Sequence, residues 1–352
     1  MKKFFKVIYC AAFFAICAFF SLGMLIPGAS LAEEGSSAAP RLIEGGAVNS
    51  AFGDDFENWF SKNFAFRSET VSLFSAIREE VFCTGNDQVT VGKDGFLFFN
   101  ESLTSYAGTS PMSDEDIGKA ADALCAMSEY AKDHAARFIF TAAPGKATIY
   151  PEMLPERFGD PDSDDLSRLH AELDKRGVEY VDLRPALTDA KNSGLLYHKR
   201  DTHWNGYGAY IAFGKIADAA GISTLDPGDF KESYDFEGDL DRLLYPGETR
   251  YDRNSSPDLG GKYIFTSSYS TPMDLTISTR GGGDVSVLMF RDSFANALIP
   301  YFASCSKEVT FERANPYRID LLEEKGADIV IVEIAERNLS DLISSDARIG
   351  AE

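Results

Sequence analysis

The chain has 352 residues, 44% of them hydrophobic, and a formal net charge of −21 from 34 Lys and Arg against 55 Asp and Glu. That size and apolar content support one large buried core or two modest ones. So large an acidic excess excludes nucleic acid and disfavours anionic lipid, and it requires any acidic polymer to find a local basic groove.

The first element is a leader. Lys2, Lys3 and Lys6 precede an apolar run from Phe4 to Ala29 that closes in Ser30-Leu31-Ala32. A basic head, an apolar middle and a small-residue end make residues 1–32 an export signal, either cleaved or kept as a single membrane anchor. The rest is therefore expected in an extracytoplasmic space, the periplasm or cell surface. Residues 33–50, with EEGSSAAPRLIEGGA, have the composition of a flexible linker. Cys10 and Cys17 fall in the leader, which leaves Cys83, Cys125 and Cys305 and at most one intramolecular disulfide.

A domain is expected over residues 51–340, followed by a tail at 341–352. FENWFSKNFAFRSETVSLFSAIREEVF has the spacing of a packed helix pair with Trp59, Phe60, Phe64 and Leu73 facing inward. DQVTVGKDGFLFFN reads as a hairpin turning at Lys93-Asp94-Gly95. Ser113 begins a capping box, and Ile117, Leu124, Met127 and Ala131 continue one apolar helical face to about Ala136. The strand RFIFTAAP follows, then the helix DDLSRLHAELDKRG closing at Gly177, then the strand VEYVDL. Helix 205–220, strand 285–290, helix 294–303, strand 308–312, helix 316–325 and strand 328–334 complete the pattern. Alternating helices and short buried strands predict an α/β fold, a parallel sheet with helices on both faces. Residues 222–283 interrupt it as a β-rich insertion, in which KYIFTSSY and MDLTIST read as strands; it is either a wall of a substrate site or a purely structural excursion.

In such sheets ligands sit at the carboxyl ends of the strands. Two candidate turns fall there, Pro144-Gly145-Lys146 and Asp292-Ser293. Taken alone, Asp292 and Ser293 read as a helix cap. RDTHWNGYGAY changes the weighing, because Asp201 and His203, two apart on an extended segment, can point to one side. An Asp that fixes an imidazole tautomer, and an imidazole that takes a serine proton, together turn a weak alcohol into a nucleophile. Ser293, His203 and Asp201 are the candidate catalytic residues. The backbone N–H groups of Ser293 and Phe294, at the head of a helix, are candidate oxyanion donors. Asn205 reads as a helix N-cap with a site role as the alternative. His134, His170 and His198 read as surface or satisfied core residues. No His/Cys cluster has metal-ligand spacing, so neither a metal nor another cofactor is expected.

FENWFSKNFAFR, VGKDGFLFF, APGKATIYPEMLP, RDTHWNGYGAY, FRDSFANALIPYF and VEIAERNL occur in one order across residues 56–339. In these segments the chain resembles the SGNH-hydrolase-like family of alginate O-acetylation proteins and their relatives in other exopolysaccharide systems. The resemblance implies a flavodoxin-like SGNH fold with the serine last in the chain, as in a circular permutation. It implies an acetyl-serine route for O-acetylating a polysaccharide acceptor, with a membrane-bound acyltransferase as acetyl supplier. By position it assigns the triad to Asp201, His203 and Ser293 and places Lys146, Tyr150 and Arg337 near the pocket rim. A carbohydrate acetylesterase and a non-catalytic scaffold remain alternatives. Arg291 departs from the Gly or His that many relatives carry before the Asp-Ser pair. No carbohydrate-binding domain follows before Glu352, so the catalytic domain is expected to grip the glycan itself.

Overall fold

The computed structural model describes residues 2–24, 26, 38–156, 158, 164–224, 226, 228 and 230–344. The Ser30–Ala32 end of the leader, linker residues 33–37 and tail residues 345–352 lie outside them. The chain forms two compact units, one of residues 1–85 with 241–249 and one of residues 86–240 with 250–352.

The first unit begins with helix α1, Lys2–Gly23, in which Phe4–Gly23 is long and apolar enough to cross a membrane, a property that signal sequences share. Helices α2, Phe52–Asn63, and α3, Arg67–Phe82, follow as the helix pair. Trp59, Phe60 and Phe64 are half-buried, but Leu73 is 63% exposed. The inward reading of Leu73 is thus corrected: Ser72 and Ser75 take the buried side of α3, and Leu73 shares the outer side with Phe74, Ile77 and Val81.

The second unit opens with the hairpin β1, Val89–Val91, and β2, Leu97–Phe99. Helix α4, Asp114–Asp133, is capped by the Ser113 side chain, which accepts from the Asp116 N–H. Strand β3, Arg137–Ala143, leads to helix α5, Asp165–Arg176, which runs from an Asp164 cap to a left-handed Gly177. Strand β4, Tyr180–Asp182, and helix α6, Gly206–Ala220, come next. The insertion supplies β5, Phe230–Phe236, and β6, Asp252–Pro257, as a separate antiparallel pair, and then β7, Ile264–Phe265, and β8, Thr276–Arg280. Strand β9, Ser286–Phe290, helix α7, Ile299–Cys305, strand β10, Glu308–Glu312, helix α8, Leu321–Lys325, and strand β11, Ile329–Ala335, close the unit.

The main sheet has the order β4-β3-β11-β9-β10-β8-β7. Its first five strands are parallel, whereas β8 and β7 add antiparallel edges. The expected parallel sheet is present in these five strands, and the β-rich insertion adds two antiparallel strands that make the whole sheet mixed. Successive side chains of a strand face opposite sides. Ile139, Met289 and Ile331 therefore pack against α6 and α7 in one core, while Phe140, Leu288 and Val330 pack against α4 and α5 in the other. Two predicted helices are also revised. Residues 294–303 divide into a 3-10 turn, Phe294–Ala297, and α7, where Pro300 lies in the first turn and lacks an N–H that a continuous helix would use. Residues 316–325 are helical only from Leu321, because Tyr317 and Ile319, two apart, both reach the core along a non-helical path. Among the described residues, Cys83, Cys125 and Cys305 are not joined in disulfides.

Candidate active site

Strand β9 is buried on both faces and ends at Phe290, so the next residues emerge at the carboxyl edge of the sheet. Arg291 is wholly buried there and donates to the Asn296 Oδ1 at 2.6 Å and to the Pro272 carbonyl at 2.7 Å. Asp292 ties the turn to the neighbouring strand: its Oδ2 accepts from the Ala335 N–H at 2.6 Å and from Asn338 Nδ2 at 3.1 Å. Its Oδ1 accepts from the Phe294 N–H at 2.8 Å. The Phe294 N–H is therefore engaged within the turn. The Ser293 N–H has no acceptor among the described residues.

The partner loop, residues 198–203, has no ladder of its own and is organised by long-range contacts. Lys146, almost fully buried, donates to the carbonyls of His198, Lys199 and Asp201 at 3.0, 2.9 and 2.6 Å. Burial pulls its pKa down to about 8. Asp201 Oδ1 accepts from both the N–H and Nδ1 of His203, at 2.8 and 2.7 Å, while its Oδ2 accepts from the Asp239 N–H at 2.7 Å. Asp239 opens the short helix Asp239–Leu244, and its own carboxylate accepts from the Thr202 N–H and hydroxyl. Gly238 permits this approach, since a Cβ there would lie 2.1 Å from the Arg200 carbonyl oxygen. Trp204 Nε1 donates to the Phe294 carbonyl at 2.9 Å and fastens the two segments together.

The result is a continuous chain from Asp201 through His203 to Ser293, with His203 Nε2 2.9 Å from Ser293 Oγ. Burial opposes protonation of His203, but the hydrogen bond and charge of Asp201, with Asp239 behind it, outweigh burial and raise its pKa. Burial would raise the Asp201 carboxyl, yet its bonds to His203 and to backbone N–H groups hold it well below the usual range. Burial and the nearby Asp201 charge raise Asp239. A carboxylate on Nδ1 leaves Nε2 as the acceptor of the neutral ring, facing a hydroxyl that can donate. Asp201, His203 and Asp239 also bring three metal-ligating atoms within 4.8 Å of one another, but those atoms hydrogen-bond to one another and to Thr202.

Ser293 and His203 border a largely apolar cavity of about 350 Å³, with Trp204, Phe294 and Tyr301 in its wall. The insertion contributes Phe236, Asn254 and Pro272 to the same wall. Lys146 and Arg337 line a separate, much smaller recess with Thr202, and the Arg337 guanidinium lies 5.6 Å from the Phe294 ring centre. One expected rim residue, Tyr150, is directed inward instead, its hydroxyl accepting from the Leu196 N–H, while Asn205 is the α6 N-cap, accepting from the Gly208 N–H and donating to the Leu195 carbonyl. Their polar atoms are satisfied inside the fold. Sequence reasoning missed Asp239 and Asn296, and it set aside His198, which borders the cavity and stacks on Phe236 at 3.8 Å. The crowding of His198 and His203 in one six-residue stretch was the available signal; nothing local marks Asp239.

Residues 89–263 match the family model described as the SGNH hydrolase-like domain of acetyltransferase AlgX. Over residues 89–263 the chain is therefore similar to an AlgX-type SGNH hydrolase-like domain. The matched segment of that domain includes Asp201 and His203 and ends before Ser293. Among curated relatives, a probable alginate O-acetylase AlgJ of Pseudomonas putida is 24% identical over 209 residues, 59% of this chain and 53% of that protein. The chain spans about half the length of the curated relatives it matches. Among solved structures, Bacillus cereus PatB1 aligns with a TM-score of 0.56 at 17% identity, covering 73% of this chain and 99% of that one. A DHHW family protein from Eubacterium siraeum aligns with a TM-score of 0.54 at 17% identity, over 66% and 89% of the two chains. These two likenesses show the shared fold.

Proposed function

We propose that the AlgX-type domain is an O-acetyltransferase that moves acetyl groups onto hydroxyls of an exported polysaccharide through an acetyl-serine intermediate. The observation that carries this reading is the unbroken hydrogen-bonded chain from Asp201 to Ser293 at the mouth of the apolar cavity. The description of the matched family as acetyltransferase, and the name of the relatives as probable alginate O-acetylase, support the choice of acetyl as the group transferred.

In this mechanism the Ser293 hydroxyl gives its proton to His203 Nε2 as Oγ bonds to the acetyl carbonyl carbon. The leaving oxygen departs with that proton and leaves acetyl-Ser293. An acceptor hydroxyl then passes its proton to Nε2 while its oxygen attacks; the bond to Oγ breaks, and Oγ recovers the proton. Asp201 holds the tautomer and stabilises the imidazolium formed in each half-reaction. The Ser293 N–H is one oxyanion donor. The Asn296 amide is the second, because Arg291 occupies its oxygen and leaves Nδ2 with only the weak sulfur acceptor of Met273 at 3.4 Å.

The apolar helix α1 supports an extracytoplasmic site of action, as export signal or anchor, and in that setting a membrane-bound acyltransferase supplies the acetyl group. Ser293→Ala should abolish release of acetate from an activated acetyl ester and lower the acetyl content of the surface polymer in a strain that carries it. Retained turnover would sink the nucleophile assignment. A raised acetyl content would make the protein a deacetylating esterase, and an unchanged content would make it a scaffold.

A further inference from the structure

Ser293 borders a second cavity of about 300 Å³, different in character from the apolar one. That volume is at the lower end of the roughly 300–1,000 Å³ typical of small-molecule pockets. Its polar wall includes Arg313, Asn315, Asn338 and Asp341, set over Leu275 and Ile334. We infer that this polar cavity is the acceptor subsite and that it takes an uncharged, hydroxyl-rich sugar ring in preference to a uronate. The inference rests on the acetyl-serine reading above and names the acceptor class for that site.

Charge and hydrogen-bond capacity select the acceptor. Among the described residues, four charged side chains border the cavity, two of each sign: Arg291 and Arg313, Asp292 and Asp341. Arg291 directs its donors to Asn296 and to the Pro272 and Asp274 carbonyls, and Asp292 is saturated by the Phe294 and Ala335 N–H groups and Asn338. Arg313 meets only the Met273 carbonyl, at 3.4 Å, and among the described residues it forms no ion pair. One available guanidinium facing two carboxylates is no basic groove. A uronate would gain Arg313 and approach Asp292 and Asp341 within a chain of net charge −21. A sugar hydroxyl suits both signs, because it accepts from Arg313 and Asn315 and donates to a carboxylate. Among the described residues, the wall of the apolar cavity on the His203 side has no Asp, Glu, Lys or Arg, which suits the acetyl methyl group. In the transfer step the acceptor oxygen bonds to the acetyl carbon, the bond from that carbon to Ser293 Oγ breaks, and the hydroxyl proton passes through His203 Nε2 to Oγ.

The test uses the full chain in detergent, an activated acetyl ester as donor, and two acceptors of equal length: a neutral gluco-oligosaccharide and a hexuronate oligomer. Acetylated oligosaccharide is counted by mass spectrometry and free acetate in parallel. The neutral acceptor should be acetylated at least tenfold faster than the uronate. Arg313→Ala and Asn315→Ala should each lower the ratio of transfer to hydrolysis about tenfold, through KM for the oligosaccharide. Preference for the uronate overturns the inference, as does an equal loss of transfer and hydrolysis in both variants. Ser293-dependent hydrolysis with neither oligosaccharide acetylated also overturns it and leaves the nucleophile standing. Hydrolysis that survives Ser293→Ala fails the underlying reading instead.

Discussion

Asp292 and Ser293 sit one step beyond a strand buried on both faces, whereas Asp201 and His203 lie on a loop supported by a single isolated bridge between Tyr197 and Trp204. The first turn inherits its position from the sheet, since Asp292 reaches across to the Ala335 N–H at the end of the adjacent parallel strand. The second has to be held from behind, by a buried ammonium on three carbonyls and by Asp239 from the insertion. A proposed catalytic pair that spans two such regions is only as precise as the less supported one. The short contact between His203 and Ser293 therefore depends on residues that touch neither substrate nor nucleophile.

Apart from Ser293 itself, substitutions on the loop side should do more damage than those on the turn side, and the largest effect among the supporting residues is expected at Asp201. Asp201→Asn should lower kcat for ester turnover by about 10⁴-fold, because an amide no longer dictates the imidazole tautomer; a loss below tenfold in steady-state kinetics would remove Asp201 from the mechanism. Lys146→Met comes next. It strips three buried carbonyls of their donor and should cost about 3 kcal/mol or more in stability, read from the urea midpoint at constant slope. Asn338→Ala removes one of several bonds to Asp292 and should cost only about 1 kcal/mol in the same assay. Equal costs for these two variants would erase the distinction between the regions.

The smallest effect sharpens the comparison by its sign. The proposed mechanism needs neutral His203, so the rate should fall as pH drops through a pKa that Asp201 and Asp239 hold above the ordinary histidine value. Asp239→Asn removes a charge that raises this pKa, so the acidic limb of the pH–rate profile should move to lower pH. Arg337 lowers the same pKa, so Arg337→Met should move the limb to higher pH. Shifts in one common direction would show that His203 does not set the limb.

Much of the frame was written locally. The Ser113 and Asp164 caps, the left-handed Gly177, and continuous apolar runs such as residues 287–290 each act within a few residues, and so the α/β alternation was legible in the sequence. The same holds for the spacing of Asp201 and His203 and for the polar turn at Ser293. What the sequence left open depended on distant partners. A two-residue strand such as Ile264–Phe265 carries no sign that it will pair with β8 and make the sheet mixed, and Lys146 looks identical whether it faces a substrate or three carbonyls. Asp239 became part of the site because Gly238 lets backbone meet backbone across 38 residues. Sequence by itself determined which groups were available and which elements would present them, since propensity, capping and periodicity are short-range. Only the tertiary structure decided their distances, their charges and the two cavities that flank Ser293, because burial and hydrogen-bond geometry exist only once remote segments have packed.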